Sequence, residues 1–145
     1  MKKDTEILLV EDDFGHANLI RMYLEKFEIS NQTIHFFDGQ EILDFLFRNG
    51  SGPHRQSNTP YILLLDLRMP VVSGIEVIEK LKKETEFKNI PIVVISTTDD
   101  PAKMKKCLNL GCDRFVGKPV DPDEFAETME KLAHYLNNLE VPRIQ

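Results

Sequence analysis

The feature that most constrains the fold is a fivefold alternation of short apolar runs with segments of helical periodicity along 145 residues. Most of these runs are continuously apolar, which is typical of strands buried on both faces of a parallel sheet. The intervening segments repeat apolar residues every three or four positions, as helices packed on a sheet do. The runs are Glu6–Val10, Thr33–Phe37, Tyr61–Leu65, Pro91–Ser96 and Arg114–Lys118. Five strand–helix units predict an α/β fold with helices on both faces.

Capping signals predict where several helices begin and where one ends. Asp38 and Ser73 stand at N-cap positions, each with a glutamate three residues later. Asp100 and Asp121 each precede a proline, which is favoured at the first helical position. Gly111 suits the end of the fourth helix, because a residue without Cβ readily adopts a left-handed cap.

The length fits one domain over residues 1–145, with a core from about residue 6 to about residue 139. Residues 48–60 are polar and rich in Gly, Ser, Asn and Pro, so we expect an exposed loop there. A short tail, residues 140–145, extends beyond the last predicted helix. We find no internal repeat and no second domain.

Charge and composition argue against binding of nucleic acid, insertion into a membrane and metal binding by cysteines. The net charge of −6 disfavours direct nucleic-acid binding, and the basic cluster at Lys103–Cys107 is typical of a solvated helix face. No apolar run approaches the roughly 20 residues of a membrane span. Cys107 and Cys112 lack metal-ligand spacing and are expected to be reduced thiols. We therefore expect a cytoplasmic protein.

Polar residues follow the predicted strands at the edge where open α/β sheets bind ligands. Carboxylates that meet there repel one another unless a cation or proton intervenes, and Mg²⁺ favours oxygen ligands of this kind. The residues concerned are Glu11, Asp12 and Asp13 after the first strand, Asp66 after the third, Ser96, Thr97 and Thr98 at the fourth and Lys118 after the fifth.

Asp66 is the candidate nucleophile, since a carboxylate can form an aspartyl phosphate. Ser96 and Lys118 are donors suited to phosphoryl oxygens. Taken singly, each of these residues has an ordinary alternative as a helix cap, a turn residue or a surface lysine. Their coincidence at one predicted edge favours a phosphoryl-transfer site.

Four motifs occur in the order and spacing of a known family. They are ILLVEDD (Ile7–Asp13), LLLDLRMPVVSG (Leu63–Gly74), IPIVVIST (Ile90–Thr97) and GCDRFVGKPV (Gly111–Val120). The chain thereby resembles the receiver domain of two-component response regulators over nearly its whole length. The resemblance implies a CheY-like, flavodoxin-like fold: a doubly wound five-stranded parallel sheet of order 2-1-3-4-5 with five helices.

The resemblance also assigns metal and phosphate roles. It implies Mg²⁺ held by Glu11, Asp12, Asp66 and the backbone carbonyl of Arg68. Asp66 is the implied phosphoacceptor, which explains why a buried strand ends on a carboxylate. Lys118 is the implied partner of the phosphoryl group, and the family places a cis peptide bond between Lys118 and Pro119.

Other residues are implied to switch the domain or to control access to it. Ser96 is the hydroxyl residue that bonds the new phosphoryl group, and Phe115 is the switch aromatic that moves with it. Arg68 and Thr98 occupy the positions that tune access of hydrolytic water to the phosphoaspartate.

The implied function is that of a stand-alone response regulator in a bacterial phosphorelay. Its phosphate donor is a sensor histidine kinase, with phytochrome-like kinases as one candidate class, or a phosphotransfer protein. Phosphorylation switches the face built from the fourth helix, fifth strand and fifth helix for a downstream target or a homodimer. The chain is not expected to be an enzyme beyond its own phosphorylation and autodephosphorylation.

Two other functions remain as alternatives. One is a receiver-fold interaction scaffold that is switched by binding and needs no phosphate. The other is a Mg²⁺ phosphohydrolase, which would require a second aspartate where Arg68 stands and a cap domain that the chain has no room for.

Overall fold

The computed structural model describes residues 1–97, 100–119 and 121–145. Thr98, one of the two residues assigned to access control, lies outside the described residues. Within those ranges, no helix combines the length and apolarity needed to cross a membrane.

Strands and helices alternate along the chain as the apolar runs predict. The strands are β1 (Glu6–Val10), β2 (Thr33–Phe36), β3 (Thr59–Leu65), β4 (Ile92–Ser96), β5 (Arg114–Gly117) and β6 (Arg143–Ile144). The helices are α1 (Phe14–Lys26), α2 (Gly39–Phe47), α3 (Gly74–Lys82), α4 (Pro101–Leu110) and α5 (Pro122–Asn137). The main sheet has the order β2-β1-β3-β4-β5, and all its neighbours pair in parallel. The doubly wound CheY-like α/β fold is confirmed.

The sheet is buried on both faces, which is why its strands are continuously apolar. Alternate residues of β1 enter different core layers: Leu8 and Val10 pack with α2 and α3, whereas Ile7 and Leu9 pack with α1 and α5. All four are almost completely buried. The helices therefore cover both faces of the sheet and leave its strand ends as the accessible edges.

The predicted caps are confirmed. The side chains of Asp38, Ser73, Asp100 and Asp121 each accept a hydrogen bond from a backbone N–H two or three residues later. These bonds satisfy amides that have no partner within the helix. Gly111 ends α4 with φ of 108°, a left-handed conformation that side chains with a Cβ disfavour.

The strand register aligns the carboxyl ends of the central strands. Val10 pairs with Leu65, Leu65 pairs with Val94, and Ser96 pairs with Gly117. Residues that follow these positions therefore share one edge of the sheet.

The segment expected to be an exposed loop is partly built into the fold. Strand β3 already begins at Thr59, where Thr59 pairs antiparallel with Ile144 of β6. Ile144 is buried in the core, so the tail docks against the sheet. A two-residue strand has no periodicity, and for that reason the sequence did not predict it.

Arg55 contradicts the expectation of exposure most clearly, because it is buried within the 48–60 loop. Its guanidinium donates to the carbonyl oxygens of Leu46 (2.9 Å) and Gln145 (2.5 Å) and to Glu86 Oε1 (2.7 Å). It also lies 5.2 Å from the centre of the Phe87 ring. A polar composition predicted exposure, but a buried arginine is stable when its donors are satisfied in this way.

Replacing Arg55 by alanine should therefore destabilise the protein. Arg55→Ala is expected to lower the free energy of unfolding by about 3 kcal/mol, because the buried carbonyl oxygen of Leu46 loses its donor, Glu86 loses its ion-pair partner and a cavity remains. Urea unfolding followed by circular dichroism measures this. Arg143→Ala is the matched control, since Arg143 is exposed and its loss should cost less than about 1 kcal/mol. An equal loss of unfolding free energy in the two variants would contradict the stabilising role of the buried Arg55 side chain.

One expected backbone feature differs in the structure. Among the described residues, the cis peptide bond lies between Gly52 and Pro53 and not between Lys118 and Pro119. The two isomers of an X-Pro bond differ intrinsically by only about 0.5–1 kcal/mol, so local tertiary context selects between them.

Candidate functional site

The carboxyl edge of the sheet brings together the predicted carboxylates. Glu11 and Asp12 follow β1, and Asp66 follows β3, which pairs with β1 directly. One carboxylate oxygen of each of these residues lies within 4.8 Å of the others. Three acidic groups thus converge, as the strand ends predicted.

Lys118, which follows β5, supplies the positive charge of this cluster. Its Nζ lies 2.5 Å from Glu11 Oε1 and 4.0 Å from Asp66 Oδ2. The Lys118 and Glu11 side chains are 6% and 1% exposed, whereas that of Asp66 is 12% exposed and Asp12 lies at the surface. The ammonium group is therefore bonded to Glu11 and only near Asp66, a preference that the sequence did not predict.

The pKa values of the Asp66 and Glu11 carboxyl groups are shifted in opposite directions. Burial raises the pKa of Asp66 to about 7, and Glu11 beside it raises it too, while Lys118 and the backbone N–H of Arg68 act in the opposite direction. Burial also raises the pKa of Glu11, but bonding to Asp66 and Lys118 outweighs it and places this pKa below its ordinary value of 4.5. Without a cation, the proton is therefore held by Asp66 rather than by Glu11.

The residues present fit a hard divalent cation. Among the side chains described, Glu11 Oε2 is buried and has no hydrogen-bond donor, which is costly for a carboxylate oxygen. A cation between Glu11, Asp12 and Asp66 would take one oxygen of each as a ligand and would offset the repulsion among the three groups. Mg²⁺ takes oxygen ligands of this type and retains waters for its remaining positions.

Ser96 and Phe115 lie on β4 and β5, the two strands on the far side of β3 from β1. Ser96 ends β4 and is fully buried, and its carbonyl accepts the Lys118 backbone N–H at 2.8 Å. Phe115 is half-buried in β5 and packs against the core layer that contains Leu8 and Val10. The two residues therefore lie on adjacent strands, which is the placement their expected switching roles require. The roles themselves stay predictions.

Arg68 is exposed, and its backbone N–H lies close enough to the Asp66 carboxyl group to lower the pKa of that group. This contact places the Arg68 backbone next to the predicted phosphoacceptor. The expected use of its carbonyl as a metal ligand, and of its side chain in access control, stay predictions.

The structure adds two histidines that sequence reasoning missed. His16 Nδ1 lies 3.4 Å from Glu11 Oε1, and His35 Nε2 lies 2.7 Å from the Glu11 carbonyl oxygen. A signal for His16 existed, since it lies in the first turn of the helix that directly follows the acidic strand end. His35 belongs to β2 and carried no such signal.

Gly74 also belongs to the site. A Cβ at this position would lie 2.4 Å from the carbonyl oxygen of Asp66, a distance that no side chain tolerates. Glycine therefore lets the start of α3 approach the end of β3 and fixes the backbone that presents Asp66.

The chain matches a known family model over most of its length. The model described as response regulator receiver domain matches residues 7–130. Among curated proteins, the probable methanogenesis regulatory protein FilR2 of Methanothrix harundinacea is 30% identical over 129 residues, which cover 89% of this chain and 81% of that protein.

Solved structures show the same similarity. A response regulator receiver domain from Rhodospirillum rubrum is 30% identical with a TM-score of 0.88, covering 97% of this chain and 99% of that chain. The bacteriophytochrome response regulator RtBRR is 35% identical with a TM-score of 0.74, covering 91% and 78%. The Mn(2+)-bound form of response regulator Rcp1 is 26% identical with a TM-score of 0.83, covering 94% and 98%.

Proposed function

Because this chain belongs to the response regulator receiver domain family, we propose that it accepts a phosphoryl group on Asp66 from a histidine kinase, with Mg²⁺ as cofactor. The observation that carries the proposal is the position of Asp66. This carboxylate ends a buried strand, is partly accessible, and lies between two further carboxylates and a buried lysine.

The proposed transfer breaks the P–N bond of a donor phosphohistidine as a carboxylate oxygen of Asp66 bonds to phosphorus. The electron pair of the broken bond stays on the donor nitrogen. Mg²⁺, when bound, neutralises charge on the phosphoryl oxygens. Asp66 must be ionised to attack. Lys118 would bond the new phosphoryl oxygens, since its Nζ lies 4.0 Å from Asp66 Oδ2. The Mn(2+)-bound relative supports a divalent cation here.

The added charge is proposed to switch the surface formed by α4, β5 and α5. Ser96 would turn toward the phosphoryl group, and Phe115 would move inward with it. Met104 and Leu108 of α4 are exposed apolar residues on this part of the molecule, which supports its use in binding. The partner is a downstream target protein or a second copy of the chain.

We propose that the donor is a phytochrome-like sensor kinase or a phosphotransfer protein. The similarity to RtBRR supports the phytochrome-like class. The net charge of −6 supports a protein partner over nucleic acid or an anionic membrane. The unpaired thiols of Cys107 and Cys112 support a cytoplasmic location. The chemistry of the chain is proposed to be limited to its own phosphorylation and autodephosphorylation, with Arg68 and Thr98 tuning the latter.

Acetyl phosphate tests the proposal without knowledge of the kinase. Intact-mass spectrometry of protein incubated with acetyl phosphate should show a gain of one phosphoryl group with Mg²⁺ and almost none with EDTA. The reason is that three uncompensated carboxylates repel an anionic donor. No gain in Mg²⁺ from protein with an intact circular dichroism spectrum would contradict the proposal and favour a phosphorylation-independent scaffold.

A further inference from the structure

One oxygen of Glu11 has two neighbouring nitrogen atoms that can donate a hydrogen bond. Glu11 Oε1 is hydrogen-bonded to Lys118 Nζ at 2.5 Å, and His16 Nδ1 lies 3.4 Å away without a well-formed hydrogen bond. The Glu11 side chain is 1% exposed, whereas that of His16 is 49% exposed. His16 thus offers a second donor close to Glu11 Oε1, the oxygen to which Lys118 is already hydrogen-bonded.

We infer that His16 is a positioning residue that donates a hydrogen bond to Glu11 Oε1 when Lys118 turns to the phosphoryl group on Asp66. This inference rests on the proposed phosphorylation of Asp66. In the unphosphorylated protein Lys118 holds Glu11, and in the phosphorylated protein His16 holds it in the orientation that binds the metal.

The need for a replacement donor follows from burial. A phosphoryl group on Asp66 places new anionic oxygens near Lys118 Nζ, which already lies only 4.0 Å from Asp66 Oδ2. If Lys118 turns to them, Glu11 Oε1 loses its bonded partner, and water cannot easily replace it at a buried position. Without that donor, the Glu11 carboxylate, which contributes one oxygen to the cluster that would hold the metal, would lose its fixed orientation.

His16 has the geometry to serve as that donor. Its backbone N–H is bonded to Asp13 Oδ1 at 3.0 Å, which fixes the first turn of α1 beside Glu11. Its side chain is half-exposed, so core packing does not hold the ring away from Glu11. Since an ionised carboxylate only accepts hydrogen bonds, Nδ1 must carry the hydrogen. The neutral Nδ1–H tautomer and the imidazolium both satisfy this, so the role does not depend on titration of His16.

The test compares Mg²⁺ affinity in two states of the full chain. Isothermal titration calorimetry gives the apparent Kd for Mg²⁺ in the absence and in the presence of excess beryllium fluoride, a phosphoryl analogue that binds Asp66 together with the cation. His16→Ala should leave the Kd within about twofold in untreated protein and raise it about tenfold in the beryllium fluoride adduct, since the lost bond matters only there. His16→Asn, whose amide can donate from nearly the same place, should restore most of the affinity.

His134→Ala is the matched control, an exposed histidine on α5 away from the site, and should match the wild type in both states. An equal loss in both states would show a merely structural role and overturn the inference, as would no loss in the adduct. Absence of any beryllium fluoride adduct in the wild type would instead overturn the proposed function, and the inference with it. The thermal midpoint of His16→Ala should stay close to that of the wild type.

Discussion

Asp66→Asn is expected to remove phosphorylation by acetyl phosphate completely. An amide oxygen is a far weaker nucleophile than a carboxylate. The remaining acidic groups of the cluster, Glu11 and Asp12, are proposed metal ligands and not phosphoacceptors. The substitution keeps the size of the side chain and removes one negative charge from a crowded site, so the fold should survive it. The expected result is an intact mass without a phosphoryl gain in Mg²⁺, under conditions that modify the wild type fully.

The control for this result is a carboxylate elsewhere on the surface of the fold. Asp44 lies on α2 and accepts a hydrogen bond from Gln40, a contact that asparagine can keep. Asp44→Asn should therefore be phosphorylated like the wild type. If Asp66→Asn still gained one phosphoryl group, the acceptor would be a different residue and the proposed function would need a new site.

The second large effect is a loss of stability with rising pH in metal-free buffer. The folded Asp66 keeps its proton up to about pH 7, whereas the unfolded chain releases it near its ordinary pKa. Between these values the folded state binds more protons, so the free energy of unfolding falls as pH rises. We expect a fall of about 2 kcal/mol from about pH 5 to about pH 8. The lowered pKa of Glu11 acts in the opposite direction but only at lower pH, since Glu11 is ionised in both states above about pH 5.

Urea unfolding in EDTA across this pH range measures the effect, and Asp66→Asn isolates it. The variant lacks the titrating group, so its stability should exceed that of the wild type at pH 8 and approach it toward pH 5. Other titrating groups are common to both proteins and cancel in the difference. Added Mg²⁺ should recover the stability of the wild type at pH 8, because a bound cation favours the ionised carboxylates. A difference between the two proteins that does not change with pH would show that Asp66 does not hold a proton in the fold.

Much of the fold follows from local physical chemistry. The apolar run Tyr61–Leu65 has to be buried, and the polar residue that follows it has to lie at the rim. Asp38 and Ser73 cap helices through atoms only three residues away, so their roles need no knowledge of the rest of the chain. Parallel pairing then brings the carboxyl ends of the strands to one edge, which is why Glu11, Asp66 and Lys118 could be grouped before the structure was known.

The parts that sequence reasoning missed depend on contacts between distant segments. Arg55 looked like a solvent-exposed loop residue, and its burial becomes stable only because Glu86 and the carbonyl of Gln145 reach it from other parts of the chain. The same holds for Ile144, whose two-residue strand exists only by pairing with the start of β3.

The amino-acid sequence by itself therefore determined the order of the five strands of the main sheet and of the helices, their caps and the set of groups at the carboxyl edge. Each of these depends on periodicity or on neighbours within a few residues. Only the tertiary structure decided how those groups are paired: Lys118 bonded to Glu11, His16 Nδ1 3.4 Å from the same Glu11 oxygen, and Asp66 with a raised pKa. Differences of about an ångström between side chains on separate strands set these pairings, and packing and register alone fix such distances.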